Sequence, residues 1–471
     1  MLRLVLVVFS LALVAACAVG PDYKRPDIAA PASFRMAGKE GESIANLPWW
    51  ELLRDDGLQT LIRLALEENK DLKRAAAAVE EYRARALVAR MDFAPQLTVS
   101  GNAPLAKTAG IVAIPAFPNP FAYYGQGALS WELDFWGRIR RENEAARADL
   151  LAREENRRAV VLQLVTGVAQ SYFDLRQLDM QLDIARRTLE SWGESVRIAQ
   201  ARLRQGLTPK LDVDQFESER ANAAARTAEL ERQMVQKENE LSVLLGSNPI
   251  KIPRGLALTD QVMPPEVPAG LPSDLLQRRP DVLQSEQELA AATARIGAAE
   301  AQRFPQITLT GLLGVASPQL SRLVNPGQFG EVGPSLAGPL FNAPILGFQQ
   351  QVAEAQVKQV LAQYQQTVLV AFKEVEDALV AVRTAREQTQ AQEAQVVALR
   401  SALHLAELRY KGGLSNYLDV LTSKRSLFDA ELSLTATRRL HLVSIVQLYK
   451  ALGGGWNEPT MASATRKEQT R

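Results

Sequence analysis

Side chains able to perform covalent or metal chemistry are scarce in this sequence. The two histidines, His404 and His441, stand 37 residues apart with no CxxC or HExxH motif nearby. Metal sites need several converging ligands, so we expect both histidines to be structural or exposed. A GxSxG motif, a P-loop and a clustered acid–base pair are also missing from the sequence. The sequence therefore predicts a protein that is not an enzyme and has no metal or cofactor site. The remaining alternative is an enzyme whose active site has no recognisable motif.

The only cysteine, Cys17, stands at the end of a short apolar N-terminal segment. Residues 1–16 have a basic start and an apolar run that is shorter than the roughly 20 residues needed to cross a bilayer, as in a secretory signal peptide. Val14-Ala15-Ala16-Cys17 resembles a bacterial lipobox. We therefore predict covalent diacylglycerol and an N-acyl lipid such as palmitate on Cys17, which would anchor the protein to a membrane. The alternative is an ordinary signal peptide beside an incidental cysteine.

The charge balance excludes one class of partner. The chain has 54 basic and 53 acidic side chains, so its overall field is near neutral and nucleic acid is not an expected partner. After the signal peptide, no apolar stretch is long enough for a transmembrane helix. Any crossing of a bilayer would therefore use β-strands, because only helices and closed sheets satisfy their backbone groups in lipid.

The chain contains an internal repeat with a period of about 207 residues. The segment 206–213 (Gly-Leu-Thr-Pro-Lys-Leu-Asp-Val) matches 413–420 (Gly-Leu-Ser-Asn-Tyr-Leu-Asp-Val). Upstream, 94–101 parallels 304–311 at nearly the same offset. The sequence therefore predicts two copies of one structural unit, at 49–246 and 272–453.

Each copy has a long seam of residues spaced alternately by three and four. The first seam consists of Val161, Leu164, Val168, Ser171, Leu175, Leu178, Leu182, Ala185, Leu189, Trp192, Val196, Ala199 and Leu203. The second seam, 207 residues later, runs from Val368 to Tyr410 with smaller and more polar members. Such sustained spacing predicts packed coiled-coil helices.

The seams place a long helix in each copy, at about 138–204 and about 346–409. A shorter helix follows each long one, at about 209–246 and about 416–452.

A stretch rich in Gly, Pro and Thr precedes each long helix, at about 95–136 and about 305–342. Apolar and polar residues alternate within it, as at Leu129, Trp131 and Leu133, so each stretch predicts a β-hairpin with one wet face. A hairpin of a soluble protein, packed on the helices, is the alternative. Four strands cannot close a transmembrane sheet, which begins at about eight, so two or three copies of the chain would have to share one.

Several motifs together resemble one family, the TolC-type outer-membrane efflux proteins, in their lipoprotein branch related to OprM and NodT. The motifs are Cys17 with Gly20-Pro21-Asp22-Tyr23-Lys24-Arg25-Pro26, Pro48-Trp49-Trp50, Trp131-Glu132-Leu133-Asp134-Phe135-Trp136-Gly137-Arg138, Arg278-Arg279-Pro280-Asp281 and Ala451-Leu452-Gly453-Gly454-Gly455-Trp456. The resemblance implies a mainly α fold with β: a duplicated β-hairpin plus long coiled-coil helices, forming a homotrimer with a 12-stranded β-barrel continued by an α-helical barrel. It implies an exit duct lodged in outer-membrane lipid, with a periplasmic adaptor (membrane fusion protein) and an inner-membrane pump of the RND type as partners.

The resemblance also implies a gate at the tips of the long helices. Asp419 matches an acidic position that forms a ring of carboxylates in a trimer, and Tyr410 and Asp212 match positions that tie adjacent coils together in the closed state. Thr422 departs from the family, because relatives often carry a further acidic residue there. Two alternatives remain: Asp212 and Asp419 could be helix caps, and Tyr410 could be a packing residue of the second seam.

The sequence thus predicts a signal peptide at 1–16, a lipid-anchored segment at 17–48, the two repeats, a Pro-rich segment between them at 247–271 and a polar tail at 454–471. The predicted function is an outer-membrane exit duct that passively conducts the cargo of a pump. The alternative is a periplasmic coiled-coil adaptor or scaffold lipoprotein without a pore.

Overall fold

The computed structural model describes residues 18–28, 30–35, 49–103, 123–262, 272–317, 320–322, 327–339 and 343–454. These residues form long helices and one antiparallel sheet. The helices are α1 (Trp49–Leu52), α2 (Asp56–Glu68), α3 (Lys70–Met91), α4 (Arg138–Arg204), α5 (Lys210–Leu244), α6 (Pro272–Arg278), α7 (Pro280–Ala301), α8 (Ala343–Lys411) and α9 (Tyr417–Ala451), and the strands are β1 (Gln96–Asn102), β2 (Tyr123–Leu133), β3 (Gln306–Ser317) and β4 (Gly327–Ala337).

Both halves of the chain follow the same order of elements. In each half, helices of at most 22 residues lead into a hairpin, and the hairpin leads into a long helix. A helix of 35 residues follows the long one. The long helix α4 covers the range expected from its seam, and α8 extends a few residues beyond the expected range at both ends. The sequence did not predict the helices before the hairpins, of which α3 and α7 have 22 residues each.

The four strands form one sheet in the order β1-β2-β3-β4. Within each half the two strands pair as an antiparallel hairpin, and β2 also pairs with β3 from Tyr123 opposite Ser317 to Leu133 opposite Ile307. The central pairing therefore joins the two copies of the repeat. The sheet belongs to the first of two compact units, which comprises 1–28, 77–154 and 284–366.

A hydrogen-bonded joint leads from β2 into α4. The Asp134 carboxylate accepts the backbone N–H groups of Ile139 and Arg140, both at 2.9 Å, and so satisfies two of the free donors of the first helical turn. Arg138 bridges the carboxylates of Glu132 and Glu142. The strand and the helix are thereby fixed to each other by side chains of one short motif.

The same joint also contacts the second copy of the repeat, just before β3. The Trp136 indole stacks on Phe304, with ring centroids 4.6 Å apart, and donates to the Pro305 carbonyl at 2.8 Å. The Trp131 indole donates to the Phe93 carbonyl at 3.0 Å. Trp136 thus joins the end of β2 to the start of β3, and Trp131 joins the end of β2 to the start of β1.

The second compact unit comprises 29–76, 155–283 and 367–471 and contains the seams. Every member of both seams is buried or half-buried, as the periodicity predicts. The first seam is the more fully buried, with Val168, Leu175 and Ala185 completely enclosed. In the second seam the members nearest the turn, from Leu399 to Tyr410, are only half-buried. The thinner second seam therefore leaves its helix pair less tightly packed at that end.

All four helices of the two pairs end in the same glycine cap. Gly206, Gly246, Gly413 and Gly453 have φ between 70° and 73°, the left-handed region that favours glycine. In the first copy Leu207 N donates to the Arg202 carbonyl, and in the second Leu414 N donates to the Arg409 carbonyl. The offset of 207 residues is thus reproduced in backbone hydrogen bonds as well as in residue types.

Asp55 holds the described part of the segment 247–271 against the helices. Its side chain is fully buried at the start of α2 and accepts hydrogen bonds from the Tyr172 hydroxyl at 2.8 Å, the Leu256 N–H at 3.1 Å and the Gln261 amide at 2.7 Å. It also caps α2 by accepting from the Leu58 N–H. One carboxylate therefore fixes a helix start, a long helix and the connection between the repeats.

Arg279 provides a second fixed point in this unit. Its buried guanidinium donates to Asp281, to Glu374 at 2.7 Å and to the Ala451 carbonyl at 3.0 Å. Burial opposes ionisation of Asp281, but the hydrogen bonds and charge of Arg279 outweigh it, so the pKa of Asp281 lies below its ordinary value. The start of α7, the middle of α8 and the end of α9 are held together by this one side chain.

None of the helices in the described part of the chain contains a stretch long and apolar enough to cross a membrane.

We expect Gly246→Ala to destabilise the protein much more than Gly206→Ala. Both residues have positive φ, so each substitution costs about 1–2 kcal/mol of backbone strain. A Cβ at Gly206 meets open space, whereas one at Gly246 would lie 2.3 Å from the Glu68 carbonyl oxygen. Thermal unfolding followed by circular dichroism in detergent measures the difference, and equal losses in the two variants would contradict the packing described for Gly246.

Candidate functional site

One face of the sheet is apolar and exposed. In antiparallel strands, directly opposed residues share a face, and so do residues two apart along a strand. The pairing therefore gathers one apolar set, whose exposed members range from 37% exposure at Trp131 to 80% at Val99. The exposed members are Leu97, Val99, Leu129, Trp131, Leu313, Val332 and Leu336. An exposed surface of this kind requires an apolar environment or a partner.

The opposite face of the sheet is mainly polar. It presents Thr98, Ser100, Gln126, Ser130, Thr308, Thr310, Glu331 and Ser335. The alternation of apolar and polar residues is therefore maintained across all four strands. The two central strands have 11 and 12 residues, and about 9–11 tilted residues are enough to cross the hydrocarbon core of a bilayer.

The sheet has two distinct ends. At the helix end, β2 leads into α4 and β4 leads into α8; at the loop end, β1 connects to β2 and β3 connects to β4. On the apolar face, Tyr123 lies at the loop end and Trp131 lies near the helix end. Aromatic side chains at both margins of an apolar band are typical of strands that sit in a bilayer, where they mark the two interfaces.

The first described residues of the chain are fixed at the helix end of the sheet. Val19 N donates to the Trp136 carbonyl at 3.0 Å, and the buried Arg141 guanidinium donates to the carbonyls of Val19 and Gly20 and to Asp22. Gly20 lies so close to Gly297 that a Cβ on Gly20 would come within 2.3 Å of the Gly297 Cα. Cys17, the predicted lipidation site, lies outside the described residues, immediately before this fixed segment.

The two predicted gate carboxylates occupy equivalent helical positions in the second unit. Asp212 is the third residue of α5 and Asp419 is the third residue of α9. Their environments differ, because Asp419 is exposed, whereas Asp212 is buried and accepts from the Thr208 hydroxyl at 2.5 Å. Only the second copy therefore presents its carboxylate to solvent.

Neither carboxylate is the N-cap residue of its helix. Asn416 is the N-cap of α9 and accepts from the N–H groups of Leu418 and Asp419. Pro209 precedes α5 and makes no side-chain cap. Asp212 and Asp419 lie in the first turn, where a negative charge interacts favourably with the helix dipole, so the dipole argument for the capping alternative holds.

The third predicted gate residue, Tyr410, packs in the second seam against α4. Its ring lies under the Arg202 guanidinium, 4.4 Å from the centroid, and Arg202 also approaches the Tyr410 carbonyl at 3.5 Å. Its hydroxyl is buried and has no hydrogen-bond partner among the residues that the structure describes. Within one chain, Tyr410 and Asp212 are therefore not paired with each other.

A buried lysine near the turns is a feature that the sequence did not predict. Lys424 of α9 is 9% exposed, and its amine donates to the hydroxyls of Ser191 and Ser195 at 2.9 and 2.8 Å. The amine also lies 3.5 Å from Glu407 and 5.3 Å from the centroid of the Trp192 ring. Lys424 thus connects α9 to α4 and α8.

The setting of Lys424 disfavours the positive charge of its amine. Burial lowers the pKa of its amine below the ordinary lysine value, Glu407 opposes this change, and the nearby Lys411 adds to it. These groups line a groove of about 500 Å³ that also includes Arg202 and Tyr410. The groove is a mixed-charge surface between helices.

The described residues contain no group of three or more His, Cys, Asp or Glu side chains that could hold a metal ion. An exposed apolar sheet face with aromatic margins, followed by paired coiled-coil helices, defines a protein of the outer-membrane export class. The sequence model of one family, described as outer membrane efflux protein, matches residues 61–247 and 271–454, once in each half of the repeat. The chain belongs to this outer membrane efflux protein family, and it is located in the outer membrane.

Individual relatives are similar along almost the whole chain. The probable efflux pump outer membrane protein TtgC of Pseudomonas putida is 34% identical over 455 residues, which are 94% of each protein. The cation efflux system protein CusC of Escherichia coli is 36% identical over 453 residues, 94% of this chain and 96% of CusC.

Solved structures of such channels have the same TolC-like fold. The open state of the MtrE outer membrane channel of Neisseria gonorrhoeae matches with a TM-score of 0.81 at 31% identity, covering 94% of this chain and 99% of MtrE. The fold class predicted from the repeat and its motifs is thereby confirmed.

We expect Tyr410→Phe to leave the stability of the isolated protein unchanged, because the hydroxyl has no partner in the described chain. Tyr410→Ala is the control and should cost about 1–3 kcal/mol, since the second seam and Arg202 lose the aromatic ring. Chemical unfolding followed by circular dichroism compares the two variants. An equal loss in both would mean that the hydroxyl, and not the ring, makes the stabilising contact.

Proposed function

We propose that this chain is one of three identical subunits of an exit duct, which carries the cargo of an inner-membrane pump across the outer membrane without chemical change. The observation that supports this most directly is the sheet, with an exposed apolar face suited to lipid and a polar face suited to water. The duct is passive: the chain acts without enzymatic activity and without a metal or other cofactor beyond its covalent lipid.

The need for several copies follows from the edges of the sheet. β1 and β4 are its outer strands, so each has one edge without a neighbour in the described chain. Unpaired backbone groups cannot remain in lipid. Pairing β4 of one copy with β1 of the next removes both edges, and three copies give twelve strands around a water-filled interior.

The helix tips are the proposed gate. Three copies of the exposed Asp419 would form a ring of carboxylates that favours cations and opposes anions at close range. The hydroxyl of Tyr410 lacks a partner in the described chain, and its predicted acceptor in a neighbouring copy is Asp212. Because the hydroxyl is buried within one copy, this bond requires the helix tips to move so that the hydroxyl becomes exposed. The thinner second seam supports larger movement of the α8–α9 pair than of the α4–α5 pair.

Lipid on Cys17 is the proposed anchor. The chain from Val19 to Asp22 is held at the helix end of the sheet, beside Trp136 and Arg141. Acyl chains on a cysteine two residues before Val19 would therefore enter the lipid next to the sheet. Anchor and sheet then reach the same leaflet of the membrane.

The proposed partners are a periplasmic adaptor and an inner-membrane pump of the RND type. Relatives described as components of efflux pumps and of a cation efflux system support this assignment. The alternative of a periplasmic adaptor or scaffold without a pore leaves the exposed apolar face of the sheet without a function.

The trimer and the gate can be tested together. We expect the detergent-extracted protein to have the mass of a trimer by native mass spectrometry and to form channels in planar lipid bilayers. Asp419→Asn should weaken the block of these channels by a trivalent cation added at the helix-tip side, because the carboxylate ring is removed.

Asp429→Asn is the matched control for this experiment, since it makes the same chemical change at an exposed position of α9 further from the turn. A monomer without channels would contradict the exit duct. Channels whose cation block is the same in both variants would contradict the proposed ring at Asp419 only.

The lipid anchor has its own test. Cys17→Ser should remove the mass of the acyl chains from each subunit, while its circular dichroism and its trimeric state stay the same. An unchanged mass would contradict lipidation at Cys17.

A further inference from the structure

Two aromatic residues interrupt the polar face of the sheet. Tyr124 lies opposite Asn102 and Ala316, and Phe329 lies opposite Gly314. Both belong to the face that carries the Ser, Thr, Gln and Glu side chains, and both lie toward the loop end. The other described strand residues of this face are small or polar apart from Leu312.

The Phe329 ring lies across the neighbouring strand. A Cβ built on Gly314 would be 2.5 Å from Cζ and 2.9 Å from Cε1 of the ring, and 2.9 Å from the Cβ of Gln126. The ring therefore occupies the space that a side chain at position 314 would need. Phe329 is only half-buried in this position, so part of its surface remains available.

A structural role explains only part of this arrangement. An aromatic side chain that covers a cross-strand glycine stabilises a sheet, and this accounts for Phe329 on Gly314. Tyr124 has no such explanation, because the residue opposite it on β3, Ala316, is not a glycine. Two aromatic residues at the same end of a water-facing surface also expose apolar area in a region that is otherwise polar.

Aromatic surfaces of this kind bind molecules that have a π face. An aromatic pair contributes about 0.5–1.5 kcal/mol beyond the burial of its area, and a cation over a ring adds to this. We propose that Tyr124 and Phe329 form a contact site for planar aromatic molecules at the loop end of the polar face. This inference rests on the proposed exit duct, in which the polar face lines the interior and the loop end opens to the outside.

The site has a defined consequence for transport. In a trimer it would present six aromatic rings near the outer opening, where a departing aromatic molecule leaves the duct for bulk water. Each contact is weak, so a molecule is held briefly and then released. Polar molecules without a π face would pass the same region without delay.

Single-channel recording in planar bilayers tests the site, with ethidium as the planar aromatic probe and tetraethylene glycol as an uncharged probe without a π face. We expect ethidium added at the loop end to cause brief current blockades. Phe329→Leu should shorten them by about three- to tenfold, because leucine still covers Gly314 but offers no ring for stacking. Tetraethylene glycol should cause no comparable blockade in either protein.

Two further variants separate contact from structure. Gly314→Ala keeps Phe329 in the chain but forces its ring out of position, and we expect the blockades to shorten here as well. Leu312→Ala, on the same face and nearer the helix end, is the control and should leave them unchanged.

Ethidium blockades of equal duration in the wild type and in Phe329→Leu would overturn the contact site while the channel itself is intact. An equal shortening by Leu312→Ala would also overturn it, because the effect would then belong to the whole polar face. Absence of any channel activity in the wild type would instead refute the exit duct on which the site rests.

Discussion

Strands at the edge of a sheet carry a row of backbone N–H and C=O groups that need partners, and in lipid no water can supply them. The four-stranded sheet of this chain has β1 and β4 at its edges and an apolar face suited to lipid. Unpaired strand edges and a face suited to lipid are incompatible in an isolated copy. The proposed association of three copies removes this conflict, because the copies share one closed sheet whose polar face is turned to the interior.

The motifs that identify the family belong to fixed joints of the fold. Trp136 and its neighbours join strand to helix and hold the N-terminal segment, and Arg279 joins α7, α8 and the end of α9, where Gly453 packs against it. These contacts are needed whatever passes through the duct. A sequence comparison therefore recognises the architecture well and carries little information about cargo, which in the proposed duct meets the polar sheet face and the helix tips.

Periodicity located the long helices because Leu and Val recur at seam positions for many turns. It did not identify α3, where the residues at the same spacing are mostly alanines and therefore make a weak apolar stripe, although they are buried or half-buried. Alternation located the strands, but the pairing of β2 with β3 depends on tertiary contacts between distant segments. Lys424 was missed for a similar reason: lysine is usually exposed, and its partners Ser191 and Ser195 come from another helix. Asp212 and Asp419 were placed correctly near the turns, but their different exposure follows from packing.

The pairing of β2 with β3 also determines the order in which the protein can assemble. Tyr123 and Ser317 are nearly 200 residues apart in sequence, and the central ladder of the sheet consists entirely of contacts over such distances. Loop closure of this length is slow, whereas each coiled-coil pair closes through a turn of a few residues. The first helix pair can therefore form while β2 still lacks its partner β3. The apolar face is complete only when distant parts of both repeats have come together, so the surface that suits lipid is the slowest part of the fold to form.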